Sequence, residues 1–370
     1  MVPGQSTCGF APCGARLSAE LVGLTPCEKC LEVPDNDIDC RLTNYNYCCR
    51  DHKEKDRHRH RTECEARGAK RSVVRAAAVI TTVYKAGRKW LYFARIIQSS
   101  IDASGKYRDI DVIPSGYAGP KPSNNLDDID MECASSFEDC IFAIVRSTPL
   151  IAWLLENISV NIREHEAHAS KTRQTRVRFV YLDGTTKTSP YATWHAFLSI
   201  KLLYPGSSSS DHLVLDLSSM QYENPQKTHS AETYFKTAIK FESQNPSKKF
   251  GDLYFAKLDR LICATSYRYV PSWLIAKITT RACNHIVNIW TNYHGGRDAL
   301  FSMPHLDFMQ GLVHLDSWLA NDLQELRAKI DEVWDHRTMD ITDLAQLCSD
   351  ENNQAHMEMA AVARSKWLEK

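Results

Sequence analysis

Eight Cys and His side chains in the opening stretch of the chain have spacings that suit metal ligation: Cys8, Cys13, Cys27, Cys30, Cys48, His52, His60 and Cys64. Zn2+ fills a closed tetrahedron with thiolate and imidazole donors, and a short knuckle such as Cys27-x2-Cys30 lets two thiolates converge on one ion. Eight donors therefore point to two ions. His60 and Cys64 stand four apart, so on a helix they share a face one turn apart and can grip the same ion. With every coordination position supplied by protein, none is left for water or substrate, and the metal is expected to be structural.

The distribution of cysteine sets this segment apart. Of the 13 Cys, eight precede residue 65. Cys40 and Cys49 are spare thiols in this scheme, the rival assignments being Cys49 in place of His52 and Cys40 in place of Cys13. His58, two residues before His60, falls on the opposite side of a helix and is expected to be solvated, with the flanking Arg residues pointing outward beside it. A disulfide framework is the competing account of clustered Cys, but the opening MVPGQSTCGF shows no charged stretch followed by an apolar core. A reduced compartment, nuclear or cytoplasmic, is expected. No apolar run approaches the roughly 18 residues a membrane span requires.

The run Tyr47-Cys48-x3-His52-x7-His60-x3-Cys64 resembles the second half of a MYND-type zinc finger, in which Tyr-Cys, three residues, a Cys, seven residues, a His, three residues and a final Cys follow in order. The resemblance implies crossed ligation, with Cys8, Cys13, Cys48 and His52 on one Zn2+ and Cys27, Cys30, His60 and Cys64 on the other. Each ion would then close a long loop and contribute on the order of 10 kcal/mol to the folding of a segment with little apolar core. It also implies a surface that binds a protein segment. The chain departs from the family pattern in four places. Four residues separate Cys8 from Cys13 where two are usual; the loop from Cys30 to Cys48 is long, with Pro34, Asp35, Asn36 and Asp37 as turn formers; His52 replaces a commoner Cys; and Arg57 occupies the usual Trp position. The last bears on the partner-binding face, not on the metal.

A chain of 370 residues, 43% hydrophobic, can bury a sizeable core and is expected to form more than one domain. Its net charge of zero argues against nucleic acid as the main partner, and Asp51, Glu54, Asp56 and Glu63 dilute the basic run from His52 to Arg61. The expected organisation is a small zinc-stabilised MYND-type finger over 1–66, a helix and irregular connection over 67–125, and an α+β or α/β body over 126–370 with a largely helical C-terminal portion. Ala-rich Val73 to Lys85 predicts a helix leading out of the finger. The Pro, Gly and Asp content of Ser104 to Asp130 predicts an irregular connection. Phe137 to Glu156 predicts a helix kinked or interrupted at Pro149. Alternation predicts strands over Val177–Leu182, His195–Leu203 and His212–Leu217, with a Gly206 and Ser loop between the last two. Leu253–Cys263, Trp273–Trp290 and Leu306–Leu326 favour helix.

Within the body, Cys133 or Cys140 on or before a helix, then His195 on one strand and Asp216 in the next, stand in the order found in papain-like and transglutaminase-like enzymes. The chemistry would need an imidazole beside the thiol and a carboxylate to hold that imidazole. The alternative is a Cys packed as a small apolar residue with an Asp at a strand end. The stretch His212-Leu-Val-Leu-Asp-Leu-Ser-Ser-Met-Gln-Tyr222 also resembles a segment downstream of MYND fingers in some fungal proteins. A SET methyltransferase domain is not expected, because Cys283-Asn284-His285-Ile286 lacks the Ser-Cys that would complete its cofactor segment and lies in an apparently helical run. The function expected from sequence is a zinc-binding regulatory or transcriptional adaptor that meets a protein partner through its finger. A Cys-dependent hydrolase in the body and a DNA-binding regulator are the alternatives.

Overall fold

The computed structural model describes residues 6–8, 11–13, 16–17, 25–27, 33–34, 42–43, 46–91, 94–114, 129, 133, 140–169, 174–181, 183–188, 194–204, 212–222, 228–242, 247–254, 270–335, 350–363 and 365. Over these residues the chain is a mixture of helix and sheet. The expected Gly206 and Ser loop, Cys30, Cys40 and the boundary near residue 125 lie outside them.

The N-terminal portion holds six two-residue strands in three antiparallel pairs: β1 (Ser6–Thr7) with β2 (Arg16–Leu17), β3 (Thr25–Pro26) with β6 (Asn46–Tyr47), and β4 (Val33–Pro34) with β5 (Leu42–Thr43). Pairs this short cannot stand on their own hydrogen bonds. They lead into α1 (Arg50–Leu91), a helix of 42 residues. The helix predicted over Val73–Lys85 is thus the second half of an element that begins among the Cys and His donors. Asp51 in its first turn and Arg88 and Lys89 in its last complement the helix dipole. Its body half buries Ala69, Val73, Ala76, Ile80 and Tyr84, a stripe at helical spacing.

The connection expected over Ser104 to Asp130 opens with sheet as far as Pro114, and most of its remainder lies outside the described residues. β7 (Ala94–Ile101) and β8 (Tyr107–Pro114) form an antiparallel hairpin, closed by a turn in which Asp102 Oδ1 accepts from the backbone N–H of Lys106 and Tyr107 and Gly105 takes φ 69°. Two Asp on β8 act as ion-pair partners rather than turn formers. Asp109 and Asp111 receive Arg176 and Arg178 from β10 (Gln174–Val180), while Ile110 and Val112 alternate inward. β10 runs parallel to β8 and antiparallel to β11 (Thr186–Thr188), so one four-stranded sheet joins residues on both sides of position 125.

The second sheet is antiparallel, in the order β14 (Thr228–Ser230), β13 (His212–Leu215), β12 (Trp194–Leu202), β9 (Val160–Ala169), β15 (Ile239–Glu242), with β16 (Lys248–Lys249) also on β9. β15 and β16 fall in a region expected to be helical. Glu164, buried on β9, holds the turn after β16 by accepting from the backbone N–H of Gly251 at 2.7 Å and Leu253 at 2.9 Å. On one face Ala196, Leu198 and Ile200 of β12 join the main core with α1, α2 (Cys140–Leu154), α4 (Val270–Tyr293) and α6 (His305–Asp335). On the other, Phe197 and Val214 pack with Tyr234 of α3 (Ala231–Thr237). Pro149 lies inside α2 and does not end it.

The C-terminal helices close the core: α4, α5 (Arg297–Ser302), α6 and α7 (Asp350–Ala363). Buried Arg75 of α1 donates to the carbonyls of Phe301 at 3.1 Å and Met303 at 2.7 Å, serving the orphan acceptors at the end of α5. Asn284 and His285 are helix positions in α4, and Asn284 Nδ2 meets His356 Nδ1 of α7 at 3.0 Å. Among the described residues no helix is long and apolar enough to cross a membrane.

Candidate metal centres and a buried thiol centre

Two groups of donors converge in the N-terminal module. Cys8, Cys13, Cys48 and His52 form one, and Cys27, His60 and Cys64 the other, the ligand atoms of each group lying within 4.8 Å of one another. His52, His60 and Cys64 all project from α1, so one helix serves both groups while the short strands bring up the remaining thiols. The division is the crossed one, with Cys13 and His52 in place. Cys49, described but outside both groups, does not substitute for His52. Cys30 and Cys40 lie outside the described residues.

The sulfur–sulfur distances suit a tetrahedral ion. Zn–S bonds of about 2.3 Å set S···S edges of about 3.8 Å. Cys13 and Cys48 are 3.7 Å apart, and Cys27 and Cys64 are 3.6 Å apart. Cys8 Sγ lies 3.8 Å from His52 Nδ1, and Cys48 Sγ approaches the same nitrogen at 3.0 Å. Desolvation and the crowding of Cys13, Cys8 and Cys49 push the Cys48 thiol up to about 12. A cation among these sulfurs would relieve that crowding as the thiols lost their protons. The two Cys/His groups could each hold a metal ion.

A polar latch supports the ligands. Tyr47, next to Cys48 and 1% exposed, donates to Asp56 Oδ2 at 3.0 Å, and Arg59 Nε donates to Asp56 Oδ1 at 2.6 Å. The latch ties β6, which leads into Cys48, to the first turns of α1. Arg57 and His58 are exposed, as expected.

The body holds a second constellation of different character. His195, near the start of β12, places Nε2 2.8 Å from Oδ2 of Asp216, the residue directly after β13. Both are 1% exposed. α2 begins at this end of β12, and its first residue, Cys140, lies close enough to His195 to help hold the imidazole proton. Burial alone would drive the imidazole down, but the charge and hydrogen bond of Asp216, joined by Cys140, lift it to about 10. Asp216, with Cys140 beside it, thus favours the protonated form of His195. Of the two candidate thiols only Cys140 belongs here. Cys133 is buried with Ile96, Ile110, Val112, Val177 and Met220 against the four-stranded sheet and behaves as a small apolar residue.

Two tyrosines complete the buried cluster. Tyr222 sets its ring edge-on to His195, centroids 4.8 Å apart, and Tyr234 donates to Asp216 Oδ2 at 2.7 Å. Tyr222 stands at the end of the stretch read from His212. Tyr234 was not singled out, although Ser230 caps the helix that carries it, accepting from the Thr233 N–H at 3.2 Å. Comparison with protein-family models, curated proteins and solved structures finds no match for the chain.

Proposed function

We propose that the body is a cysteine-dependent acyl-transfer centre of papain-like or transglutaminase-like design, preceded by a MYND-type module that binds two Zn2+ ions. The observation that carries the first part is the Cys140, His195 and Asp216 constellation: a thiol on the first turn of a helix, an imidazole beside it and a buried carboxylate 2.8 Å from that imidazole. The N-terminus of a helix offers partial positive charge to an anion, and the imidazolium offers a full one.

The chemistry follows from those charges. Cys140, as thiolate, attacks the carbonyl carbon of an amide or ester. The C–S bond forms as the C–N or C–O bond breaks, and the proton on His195 goes to the departing amine or alcohol. Neutral His195 then takes a proton from water, or from an acceptor amine, as that molecule attacks the thioester and returns Cys140 to the thiolate. Asp216 keeps the imidazole oriented and stabilises its charge throughout.

The test is alkylation of the folded full-length chain by iodoacetamide at pH 7, mapped by mass spectrometry. Cys140 should react on the order of 100-fold faster in the wild type than in His195→Ala. Equal rates in the two chains, or a Cys140 no faster than buried Cys283, whose thiol burial pushes up to about 12, would overturn the proposal. The module in this reading binds a protein partner, as its resemblance implies. A Cys27→Ser chain that captures the same proteins as the wild type removes that role.

A further inference from the structure

Asp216 is served by two donors at a single oxygen. His195 Nε2 reaches Oδ2 at 2.8 Å, and the Tyr234 hydroxyl reaches the same Oδ2 at 2.7 Å. We infer that Tyr234 is a positioning residue of the thiol centre, sharing the Asp216 carboxylate with His195 and so setting how strongly that carboxylate holds the imidazolium. The inference rests on the acyl-transfer reading of Cys140, His195 and Asp216.

The fold delivers this hydroxyl with little freedom. β13 pairs with β14, Leu213 opposite Ser230, and Ser230 starts α3. Tyr234 therefore sits one turn into a helix anchored beside the strand that leads into Asp216. Its ring, 1% exposed, packs at 4.9 Å from Phe197, two residues along β12 from His195. Burial and the negative charge of Asp216 hold the phenol well above its ordinary value, so it remains a donor throughout the working range of pH.

Two donors on one carboxylate oxygen compete for its electron density. A hydroxyl bound there weakens the pull of Asp216 on the His195 proton. Without it the charge of Asp216 falls more fully on the imidazolium, which then keeps its proton to higher pH. A residue serving only to fill space would leave that titration where it was.

The measurement is the pH profile of Cys140 alkylation by iodoacetate in the full chain. This reagent is anionic and drawn to the imidazolium, so its rate falls as His195 loses its proton at alkaline pH. Tyr234→Phe should move that descending limb upward by roughly half a pH unit. Replacing Tyr234 with 3-fluorotyrosine, a stronger donor of nearly the same shape, should move it downward, and this second variant decides the matter if Tyr234→Phe fails to fold. Limbs that coincide with the wild type, or that shift in the same direction in both variants, overturn the inference. The acyl-transfer reading stands or falls separately, on whether His195→Ala suppresses Cys140 alkylation.

Discussion

The N-terminal module and the centre around Cys140 both gather sulfur and imidazole, and they hold them by opposite means. In the module Cys8, Cys27 and Cys48 directly follow two-residue strands, Cys13 ends a short 3-10 turn, and His52, His60 and Cys64 lie on the outer half of α1. At Cys140 the donors sit at the edge of a large core, each at a strand or helix end that hydrophobic packing has already placed. One grouping could hold metal ions among its thiols and imidazoles. The other is assembled by the fold and stabilised by an ion pair taken out of water. The difference shows along α1, a single helix that starts at Arg50 among the Cys and His donors and continues through Val73 and Ile80 in the main core.

Metal removal separates the two most sharply. Zn2+ binding is worth on the order of 10 kcal/mol per site, so chelation should unfold the module while the core half of α1 persists. Hydrogen exchange should show residues 50–64 losing protection and Val73–Ala86 keeping it. Native mass spectrometry should find two zinc ions per wild-type chain and fewer in Cys27→Ser. Uniform loss of protection along α1 would mean that the module and body fold as one unit.

Asp216→Asn attacks the other side. It leaves a buried imidazole without its charged partner, at a cost of about 3–5 kcal/mol in urea unfolding, and should leave both metal ions in place. The pH dependence has a defined sign. The folded-state value of His195 is raised, from 6.5 to about 10, so the contribution of the pair is complete below pH 6.5 and is lost as the pH rises through about 10. Asp216→Asn should flatten that alkaline decline; an unchanged decline would assign it to other groups. The smallest effect is expected where neither device operates. Arg176→Ala removes a partly exposed ion pair with Asp109 and should cost about 1 kcal/mol or less in the same assay.

The two Cys/His groups were legible because metal ligation needs residue types at short spacings. Cys48, His52, His60 and Cys64 declare themselves within one helix and its approach. The hairpin of β7 and β8 was hidden because Asp109 and Asp111 resemble turn formers until their partners Arg176 and Arg178 are known. Strands β15 and β16 were hidden because four residues and two residues carry no period, and their place is set by pairing with β9. The order of Cys140, His195 and Asp216 could be read, but Cys133 fitted it equally well, and nothing local distinguished a thiol packed on a sheet from one at the head of α2.

The sequence by itself singled out the Cys and His that gather in the two N-terminal groups, the long helical segments and the strands around His195 and Asp216, because each depends on residue types and periods read along the chain. Only the tertiary structure decided that Cys140 meets His195, that Asp216 and Tyr234 meet at one oxygen, and that a single helix joins the module to the core. Those contacts depend on strand register and helix packing, which bring together side chains whose separation along the chain carries no signal of their meeting.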